Sequence, residues 1–223
     1  MQVTYIHHSG FLVETHRFYY LFDYEKGPLP VMDTDKPIFV FSSHSHYDHY
    51  NPEIFPMLSR LQMAHIQAVL SDDITPPANV DVLQVSPEQV YRPDPHLKLT
   101  TFRSTDQGVA FLIEEDHLRI YHAGDLNDWV WEEESQAYNT QMTENYRKQI
   151  QLLSAALDHQ ALDAAFAVLD PRQEKDYDRG LCYFLEHIPA RKVYPMHYWD
   201  DPGVIQAFLQ DHPQYQSQIQ KTE

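Results

Sequence analysis

The chain has 223 residues, of which 43% are hydrophobic, and this excludes a disordered protein while allowing one domain with a sizeable core. Its formal net charge of −17 disfavours a nucleic-acid-binding protein, because a phosphate backbone is bound by clustered Lys and Arg. The only cysteine, Cys182, excludes an intrachain disulfide and fits a reducing cytoplasm, and no apolar run approaches the roughly 20 residues of a membrane span. We therefore expect one soluble, cytoplasmic domain over residues 1–223, without a nucleic-acid or membrane partner.

Short strands dominate the first half of the chain. The opening segments are rich in Val, Ile, Tyr, Phe and Leu, and their interruption at Ser9-Gly10 predicts a hairpin. A continuous apolar run over 37–43 is typical of a strand buried on both faces, and Asn51-Pro52 marks a helix start. In chain order the predicted elements are strands over 2–7, 11–23 and 37–43, a helix over 51–65, and strands over 68–73, 81–85, 88–92 and 97–103.

Strands and helices alternate in the second half. Ile150, Leu153 and Leu157 recur on one face of a long amphipathic segment, which predicts a helix. Two β/α halves of this kind predict an α/β fold, a sandwich of two mixed sheets with helices outside. In chain order the predicted elements are strands over 108–114 and 117–123, a helix over 134–158, a strand over 164–170, a helix over 177–188, a strand over 191–196 and a helix over 202–211.

The strongest chemical signal is a histidine cluster that directly follows the predicted strand 37–43. Its sequence is His44-Ser45-His46-Tyr47-Asp48-His49. His44 and His46 are two residues apart, so they project to the same side of an extended segment and can share one metal ion. Asp48 and His49 then turn towards a second ion beside it. Imidazole and carboxylate ligands together suit Zn, Mn or Fe.

The pattern His-x-His-x-Asp-His resembles the signature of the metallo-β-lactamase superfamily. The segment 120–126 resembles the strand of that family that ends in Gly-Asp, which implies that Asp125 bridges two metals. The segment 195–198 resembles the late strand end that supplies a histidine, here His197, to the second metal. The opening residues 6–14 and 21–23 are similar to the first hairpin of the branch with ascorbate-6-phosphate lactonase-like proteins.

The resemblance implies a four-layer αββα sandwich and a cofactor of two divalent metal ions. Zinc is the ion we expect, with Mn and Fe as alternatives. The implied metal ligands are His44, His46, Asp48, His49, Asp125 and His197.

The sequence departs from the family pattern at one position. Many members carry a further histidine of the first metal site where this chain has Ser104, within the segment 102–111. The first site is therefore expected to have one protein ligand fewer. Asp106, His122 or a water molecule could replace it.

Four other residues are candidates for the neighbourhood of the metals. His122 and His8 are interpreted as residues that support the ligands by hydrogen bonds, ahead of direct ligation. Asp23, at the end of a predicted strand, is expected to fix a metal-ligating histidine through its ring N–H. Asp170 either orients a ligand or contacts substrate, or it serves as an N-cap or turn residue before Pro171.

These residues predict a hydrolase that acts on a small-molecule substrate. Two metal ions lower the pKa of water, so a metal-bound hydroxide is expected to attack a small ester, lactone or phosphorylated metabolite. Asp48 is the expected catalytic residue, which orients the nucleophile and passes a proton to the leaving group. Two alternatives remain: a nuclease or phosphodiesterase, and a metal-binding scaffold with little catalytic activity. The oligomeric state is left open.

Overall fold

The computed structural model describes residues 1–221, which divide into two compact units at Ser86–Pro87. Each unit of the described chain builds one mixed sheet of six strands. The first unit contains strands β1 (Gln2–His7), β2 (Gly10–Glu14), β3 (Tyr19–Phe22), β4 (Ile38–Ser42), β5 (Ile66–Ser71) and β6 (Asp81–Val85), with helix α1 (Ile54–Arg60) between β4 and β5.

The strands of the first sheet lie in sequence order, β1-β2-β3-β4-β5-β6. Antiparallel pairing joins β1 to β2 and β2 to β3, whereas β3, β4, β5 and β6 run parallel. Because parallel strands end at the same edge of a sheet, the residues after β3, β4 and β5 gather there. Asp23 follows β3, the histidine cluster follows β4, and Asp73 follows β5.

The core of the first unit explains why β4 is central. All five residues of β4 are buried, as a strand covered on both faces requires. Helix α1 contributes Ile54, Phe55 and Leu58 to a cluster that includes Val40 and Leu70 of the sheet. The strand that presents the histidine cluster is thus buried on both faces and packs against α1 on one of them.

The second unit is also built on one mixed sheet of six strands. The spatial order of its strands is β12-β11-β10-β9-β8-β7, with β7 to β10 antiparallel and β10, β11 and β12 parallel. Its elements are β7 (Val90–Asp94), β8 (Leu97–Arg103), β9 (Val109–Glu115), β10 (Leu118–His122), α2 (Gln136–Leu157), β11 (Ala164–Val168), α3 (Arg179–His187), β12 (Val193–Met196) and α4 (Gly203–Asp211), with short 3-10 helices at Pro171–Asp176 and Pro213–Tyr215.

The three parallel strands of the second sheet again gather polar residues at one edge. Asp125 follows β10, Asp170 follows β11 and His197 follows β12. Val168 pairs with Met196, so β11 and β12 end in register. The segments that carry these residues therefore leave the sheet side by side.

The helices of the second unit cover its sheet with apolar faces. Ser135 caps α2 by accepting a hydrogen bond from Tyr138 N, and α2 buries Ile150, Leu153 and Leu157. Close approach also requires a glycine in α3: a Cβ on Gly180 would lie 1.8 Å from a side-chain atom of Asn127. Within residues 1–221, no helix has both the length and the apolar character needed to cross a bilayer.

One predicted strand is wrong in its extent. The segment predicted as a single strand over 11–23 forms two strands, β2 and β3, which pair with each other. A tight turn separates them, in which Thr15 N donates to Phe18 O at 2.9 Å and Thr15 Oγ1 accepts from Phe18 N at 3.0 Å. The threonine side chain therefore stabilises a turn that the apolar pattern hides.

The first predicted helix is also shorter than expected. Helix α1 spans Ile54–Arg60 rather than 51–65. Asn51 does act at the start, because its Oδ1 accepts from Glu53 N at 3.0 Å and its Nδ2 donates to Glu25 O at 2.6 Å. These bonds hold residues 51–53 in a turn before the helix rather than in its first turn.

Candidate metal centre

The turn after β4 carries four of the predicted ligands in one folded loop. His49 N donates to His46 O at 3.0 Å, which reverses the chain within the motif. Ser45 N donates to Asp73 Oδ2 at 2.8 Å, and this bond ties the loop to the end of β5. The side chains of His44 and His49 are completely buried. We define the first-unit cluster as the loop's ligand candidates together with two neighbouring polar residues: His8, Asp23, His44, His46, Asp48 and His49.

Asp23 contacts both Ser43 and His49, and its carboxylate is completely buried. Its Oδ1 accepts from Ser43 N and its Oδ2 accepts from Ser43 Oγ, both at 2.7 Å. The same Oδ2 lies 2.7 Å from Nδ1 of His49. With Oδ2 of Asp23 as the acceptor, Nδ1 of His49 is the donor and Nε2 is left to present its lone pair.

Ser43 fixes the orientation of the His44 ring through a hydrogen bond of its own. Ser43 Oγ lies 3.0 Å from Nδ1 of His44 and donates its own proton to Asp23. Nδ1 of His44 is therefore the donor, and its Nε2 presents a lone pair. That Nε2 lies 2.9 Å from Nδ1 of His46, a distance at which the two rings can share a proton or a cation.

The side chains of His8, Asp48 and His49 also lie close together within the first-unit cluster. Oδ2 of Asp48 lies 3.5 Å from Nε2 of His8 and 3.8 Å from Nε2 of His49. The ligand atoms of these three residues all lie within 4.8 Å of one another. His8 reaches Asp48 from the turn between β1 and β2, which is compatible with the supporting role predicted for it.

In the second unit, Asp125 follows β10 on a turn that Gly124 makes with a positive φ of 52°. Asp125 O accepts from Trp129 Nε1 at 2.9 Å. Thr105 Oγ1 donates to Asn127 O at 2.6 Å and so fixes the segment after Asp125. The carboxylate of Asp125 is buried, and its Oδ1 lies 3.3 Å from Nε2 of His197. We call Asp125, Asp170 and His197 the second-unit cluster.

Asp170 holds His197 as Asp23 holds His49. Oδ2 of Asp170 lies 2.9 Å from Nδ1 of His197, so this ring also keeps Nε2 as its lone-pair atom. Both side chains are buried. Asp170 caps the following 3-10 helix as well, because it accepts from Arg172 N at 2.9 Å. Asp170 therefore caps a helix and also contacts His197, a candidate ligand.

The charge of Asp170 is stabilised by its neighbours. Burial acts to raise its pKa, but hydrogen bonds from His197 and Arg172 outweigh burial and hold the pKa at about 2. Arg172 contacts Asp170 through Nε at 3.0 and 2.9 Å and through Nη2, and its guanidinium lies 4.5 Å from the ring centre of Trp199. The carboxylate is thus ionised at neutral pH and can accept from His197.

The structure gives Ser104 a local role. Ser104 Oγ accepts from Asp106 N at 3.1 Å, and Ser104 N donates to Gly108 O at 3.1 Å, which closes a turn. Asp106 lies on this turn with an exposed side chain, and a carboxylate oxygen of Asp106 lies within 4.8 Å of one of Asp125. Of the two side chains considered as replacements for the family histidine, Asp106 has the geometry to join Asp125.

His122 is oriented differently. Its ring is completely buried, and its centre lies 5.7 Å from that of Phe166. Nδ1 of His122 accepts from Gly124 N at 3.1 Å, so the ring stabilises the turn that carries Asp125. Among residues 1–221, the convergent groups of metal-binding side chains do not include His122.

Three residues of the two clusters have backbone conformations that are rare for residues other than glycine. The φ angles of His8, Asp23 and His197 are 52°, 40° and 67°. Such conformations cost on the order of 1–3 kcal/mol each and persist only where the surrounding contacts determine them. The side chains of both clusters are therefore held in place at an energetic cost to the fold.

The donors fit a divalent transition-metal ion. They are imidazole nitrogens and carboxylate oxygens, which are the ligands that Zn, Mn and Fe accept. Burial of such groups is expensive unless charges are balanced, and a bound cation would balance them. Each unit supplies both donor types at the carboxyl edge of its parallel strands.

Three supporting residues did not emerge from the sequence. Ser43 connects Asp23 with His44, Asp73 anchors the histidine loop, and Arg172 balances Asp170. The positions of Ser43, directly before the motif, and of Arg172, two residues after Asp170, are signals that point to such roles. Asp73 has no such signal, because its contact depends on the pairing of β4 with β5.

Solved structures share the fold at low sequence identity. Igni18, a metallo hydrolase from the archaeon Ignicoccus hospitalis, matches with a TM-score of 0.67 and 17% identity over 99% of this chain and 94% of that chain. The metallo-beta-lactamase fold protein YhfI from Bacillus subtilis matches with a TM-score of 0.56 and 13% identity over 97% and 90%. CmlA, a diiron beta-hydroxylase from Streptomyces venezuelae, matches with a TM-score of 0.60 and 10% identity over 97% of this chain and 52% of that chain. The predicted fold class is thereby confirmed.

Sequence comparison assigns the family. No curated protein sequence is significantly similar to the chain. The family model for the beta-lactamase superfamily domain matches residues 2–140, which is more than half of the chain and includes the histidine cluster and Asp125. With this match, and with two mixed six-stranded sheets in residues 1–221, the chain belongs to the metallo-β-lactamase superfamily.

Proposed function

We propose that this protein is a metal-dependent hydrolase of a small ester, lactone or phosphorylated metabolite. We further propose that it binds two divalent ions through His44, His46, Asp48, His49, Asp125 and His197. The observation that carries the proposal is the orientation of His49 and His197. In each unit, a buried carboxylate holds Nδ1 of one of these histidines and leaves Nε2 as the donor atom.

This arrangement is expensive to maintain without a ligand. A carboxylate that accepts from one ring nitrogen raises the basicity of the other and fixes the direction of the ring, which is how many proteins prepare a histidine for metal. Asp23 accepts from His49 in this way at 2.7 Å, and Asp170 accepts from His197 at 2.9 Å. In each pair, the carboxylate and the histidine follow neighbouring strands of the same sheet. A structural histidine in a core needs no second carboxylate near its remaining nitrogen, yet Asp48 and Asp125 lie there.

The chemistry divides between the ions and the protein. Divalent ions, when bound, supply Lewis acidity that activates water and polarises a carbonyl or phosphoryl oxygen. Asp48 would orient the attacking water and carry a proton to the leaving group, since its carboxylate is buried beside His8 and His49. His8 would then keep Asp48 in position through the contact of Nε2 with Oδ2.

Zinc is the ion we propose, on the basis of the donor types. Three or more imidazoles with carboxylates are a common zinc set, and iron and manganese accept the same ligands. Iron is the specific alternative, since CmlA, which shares the fold, is a diiron protein. We place Asp106 beside Asp125 as the additional ligand of the first ion, in the role that Ser104 leaves open.

The substrate class rests on charge and on the resemblance to lactonase-like proteins. A net charge of −17 disfavours long polyanions such as RNA, because each additional phosphate adds to the repulsion. A neutral ester or lactone carries no such cost, and a metabolite with a single phosphate carries less of it than a polyanion. The nuclease alternative is therefore less favoured than the metabolite hydrolase.

The first experiment measures metal content by plasma mass spectrometry on protein purified without an affinity metal. The background is Cys182→Ser, so that a thiol cannot contribute an ion. We expect nearly two ions per chain, with a loss in His46→Ala and in Asp125→Ala. His16→Ala and Asp116→Asn, which change exposed side chains elsewhere, serve as matched controls and should keep both ions.

The possible results separate the competing models. One ion per chain would show that the departure at Ser104 leaves a mononuclear centre and would overturn the two-ion proposal. No ion after reconstitution with Zn, Mn or Fe would overturn the metal-dependent hydrolase itself.

The second experiment measures turnover of a panel of lactones, esters, phosphate esters and single-stranded nucleic acid by the metal-loaded protein. We expect activity on small substrates that falls at least about a hundredfold in Asp125→Ala, because metal binding and catalysis are lost together. Activity confined to nucleic acid would favour the nuclease. Full metal loading without any turnover would favour the scaffold.

A further inference from the structure

A second group of metal-binding side chains lies in the second unit, on elements that the proposed hydrolase site does not use. Asp178 precedes α3, Cys182 lies one turn further along the same helix, and His212 follows α4. Nε2 of His212 lies 2.6 Å from Oδ2 of Asp178 and 3.5 Å from Sγ of Cys182. Sγ of Cys182 lies 4.0 Å from Oδ2 of Asp178. One oxygen, one nitrogen and one sulfur thus converge on a single point.

These distances are close to those of a ligand set. Zinc bonds of about 2.0–2.3 Å at tetrahedral angles place ligand atoms about 3.3–3.7 Å apart. Cys182 and His212 already have this separation. The hydrogen bond of 2.6 Å between Asp178 and His212 would have to open to make room for an ion, and Asp178 would have to approach Cys182 from 4.0 Å. The three side chains offer the Cys, His and carboxylate donors that zinc accepts.

The same geometry argues against a nucleophilic thiol. In a Cys-His-Asp relay, one ring nitrogen faces the thiol and the other faces the carboxylate. Here Nε2 of His212 faces both Cys182 and Asp178. Burial, Asp178 and Glu186 also raise the pKa of the Cys182 thiol to about 12, so the thiolate does not form by itself at neutral pH.

The surroundings favour a cation. Tyr177 Oη donates to Asp211 Oδ2 at 3.0 Å, which places another carboxylate next to the group. Glu186 is near enough to raise the pKa of Cys182. The carboxylate of Asp178 and the ring of His212 are about one quarter exposed, at 24% and 23%, so an ion from solvent can reach them.

Packing holds the histidine in place without a metal. The ring of His212 lies 4.8 Å from that of Phe208 and 6.4 Å from that of Tyr215, measured between centres. Cys182 N donates to Asp178 O at 2.8 Å, so these two side chains project from successive turns of α3. Little ordering entropy would therefore be lost when an ion binds.

We propose that Asp178, Cys182 and His212 form a separate mononuclear site for a zinc-class divalent cation. When the ion binds, the Cys182 thiol loses its proton to solvent, and the proton on Nε2 of His212, which faces Asp178, moves to Nδ1, so that one proton is released and the start of α3 is joined to the end of α4. The fourth position is open to water or to a ligand from outside the chain. The site is independent of the proposed hydrolase activity.

The sole thiol of the chain makes the site easy to distinguish. Cobalt(II) bound to a thiolate gives a near-ultraviolet charge-transfer absorption, which histidine and carboxylate ligands do not give. Titration of the metal-free protein with Co²⁺ should produce this absorption in the wild type and in His46→Ala. Cys182→Ser should abolish it, and His212→Ala and Asp178→Asn should weaken the apparent Co²⁺ affinity at least tenfold.

His187→Ala is the matched control, because it removes an exposed histidine from the same helix. It should leave the Co²⁺ titration unchanged. Absence of the charge-transfer absorption in the wild type at saturating Co²⁺ would overturn the site. An unchanged affinity in both His212→Ala and Asp178→Asn would also overturn it, since the thiol would then bind cobalt alone.

A second measurement tests the site in the wild-type protein. The rate of alkylation of Cys182 in the wild type should fall at least tenfold when Zn²⁺ is added, and chelation should restore it. The protection should persist in His46→Ala, in which the hydrolase site is damaged. Equal alkylation rates with and without Zn²⁺ would contradict the proposal.

Discussion

At the scale of single residues, the two clusters depend on a few polar contacts that fix ring orientation. His49 and His197 each have Nδ1 on a buried carboxylate, and Asp23 accepts from Ser43 as well. A buried acceptor of this kind is costly to lose, because the donors around it remain buried without a partner. The residues that support the candidate ligands should therefore matter nearly as much as the ligands themselves.

Asp23→Asn tests this expectation. Asparagine tolerates the positive φ of Asp23 but lacks the charge and one acceptor oxygen, so His49 should be less basic and less well oriented. We expect the metal affinity to fall about 10–100-fold. A competition titration with a chromophoric chelator measures it. Asp116→Asn, at an exposed position with a φ of 49°, is the control, and equal affinities of the two variants would contradict the role of Asp23.

The thiol of Cys182 provides a prediction about pH. Its pKa is raised from 9.0 to about 12, first by burial and then by Asp178 and Glu186. In the metal-free protein at pH 8, iodoacetamide should therefore alkylate the native thiol about a thousandfold more slowly than the unfolded thiol. A raised pKa contributes stability below the unfolded value, and that contribution should be lost as the pH rises from about 9 to about 12. Equal native and unfolded alkylation rates would contradict this.

At the scale of elements, helix α2 shows how burial rather than propensity holds a long helix in place. Its Ser135 cap is followed by 22 residues whose buried face includes Ile150, Leu153 and Leu157. The polar face is exposed, as in an amphipathic helix of a globular protein. Most of the contribution of α2 to stability should thus come from that apolar face.

Two adjacent leucines on α2 give a matched test. Leu153 is 1% exposed and Leu152 is 40% exposed. Leu153→Ala should lower the free energy of unfolding by about 2–5 kcal/mol, because it leaves a cavity. Leu152→Ala should change it by no more than about 0.5 kcal/mol. Urea denaturation followed by circular dichroism measures both, and similar losses in the two variants would show that α2 does not pack as described.

At the scale of the whole molecule, charge is the property most relevant to substrate choice. The net charge of −17 produces a negative field that extends about one Debye length, about 8 Å at physiological salt. Arg172, beside the second-unit cluster, is already engaged by Asp170 and stacks on Trp199. The long-range field should therefore repel anionic substrates.

Salt dependence distinguishes the substrate classes. If the substrate is a phosphorylated metabolite, kcat/KM should rise with added NaCl, because the salt screens the repulsion. A neutral lactone or ester, used as the control, should show no salt dependence. A fall in kcat/KM with salt for the anionic substrate would indicate a locally positive site and would make Arg172 the first residue to replace.

Several elements could be predicted from local pattern because their physical cause is local. Strand β4 follows from a continuous apolar run, and α2 follows from the 3.6-residue repeat of Ile150, Leu153 and Leu157. The turn at Thr15 was missed because a single side-chain bond breaks a segment that is otherwise strand-like. Local patterns indicate where apolar residues are buried, but not every place where the chain turns.

The sequence by itself determined the family and the chemical types of the candidate ligands, because His44, His46, Asp48 and His49 lie within six residues. Only the tertiary structure decided their partners. The pairs Asp23–His49, Asp170–His197 and Asp178–His212 are separated by 26, 27 and 34 residues. The first two pairs form because parallel strands end at a common edge, and the third because two helix ends meet. These arrangements depend on pairing and packing across the chain, which no local pattern encodes.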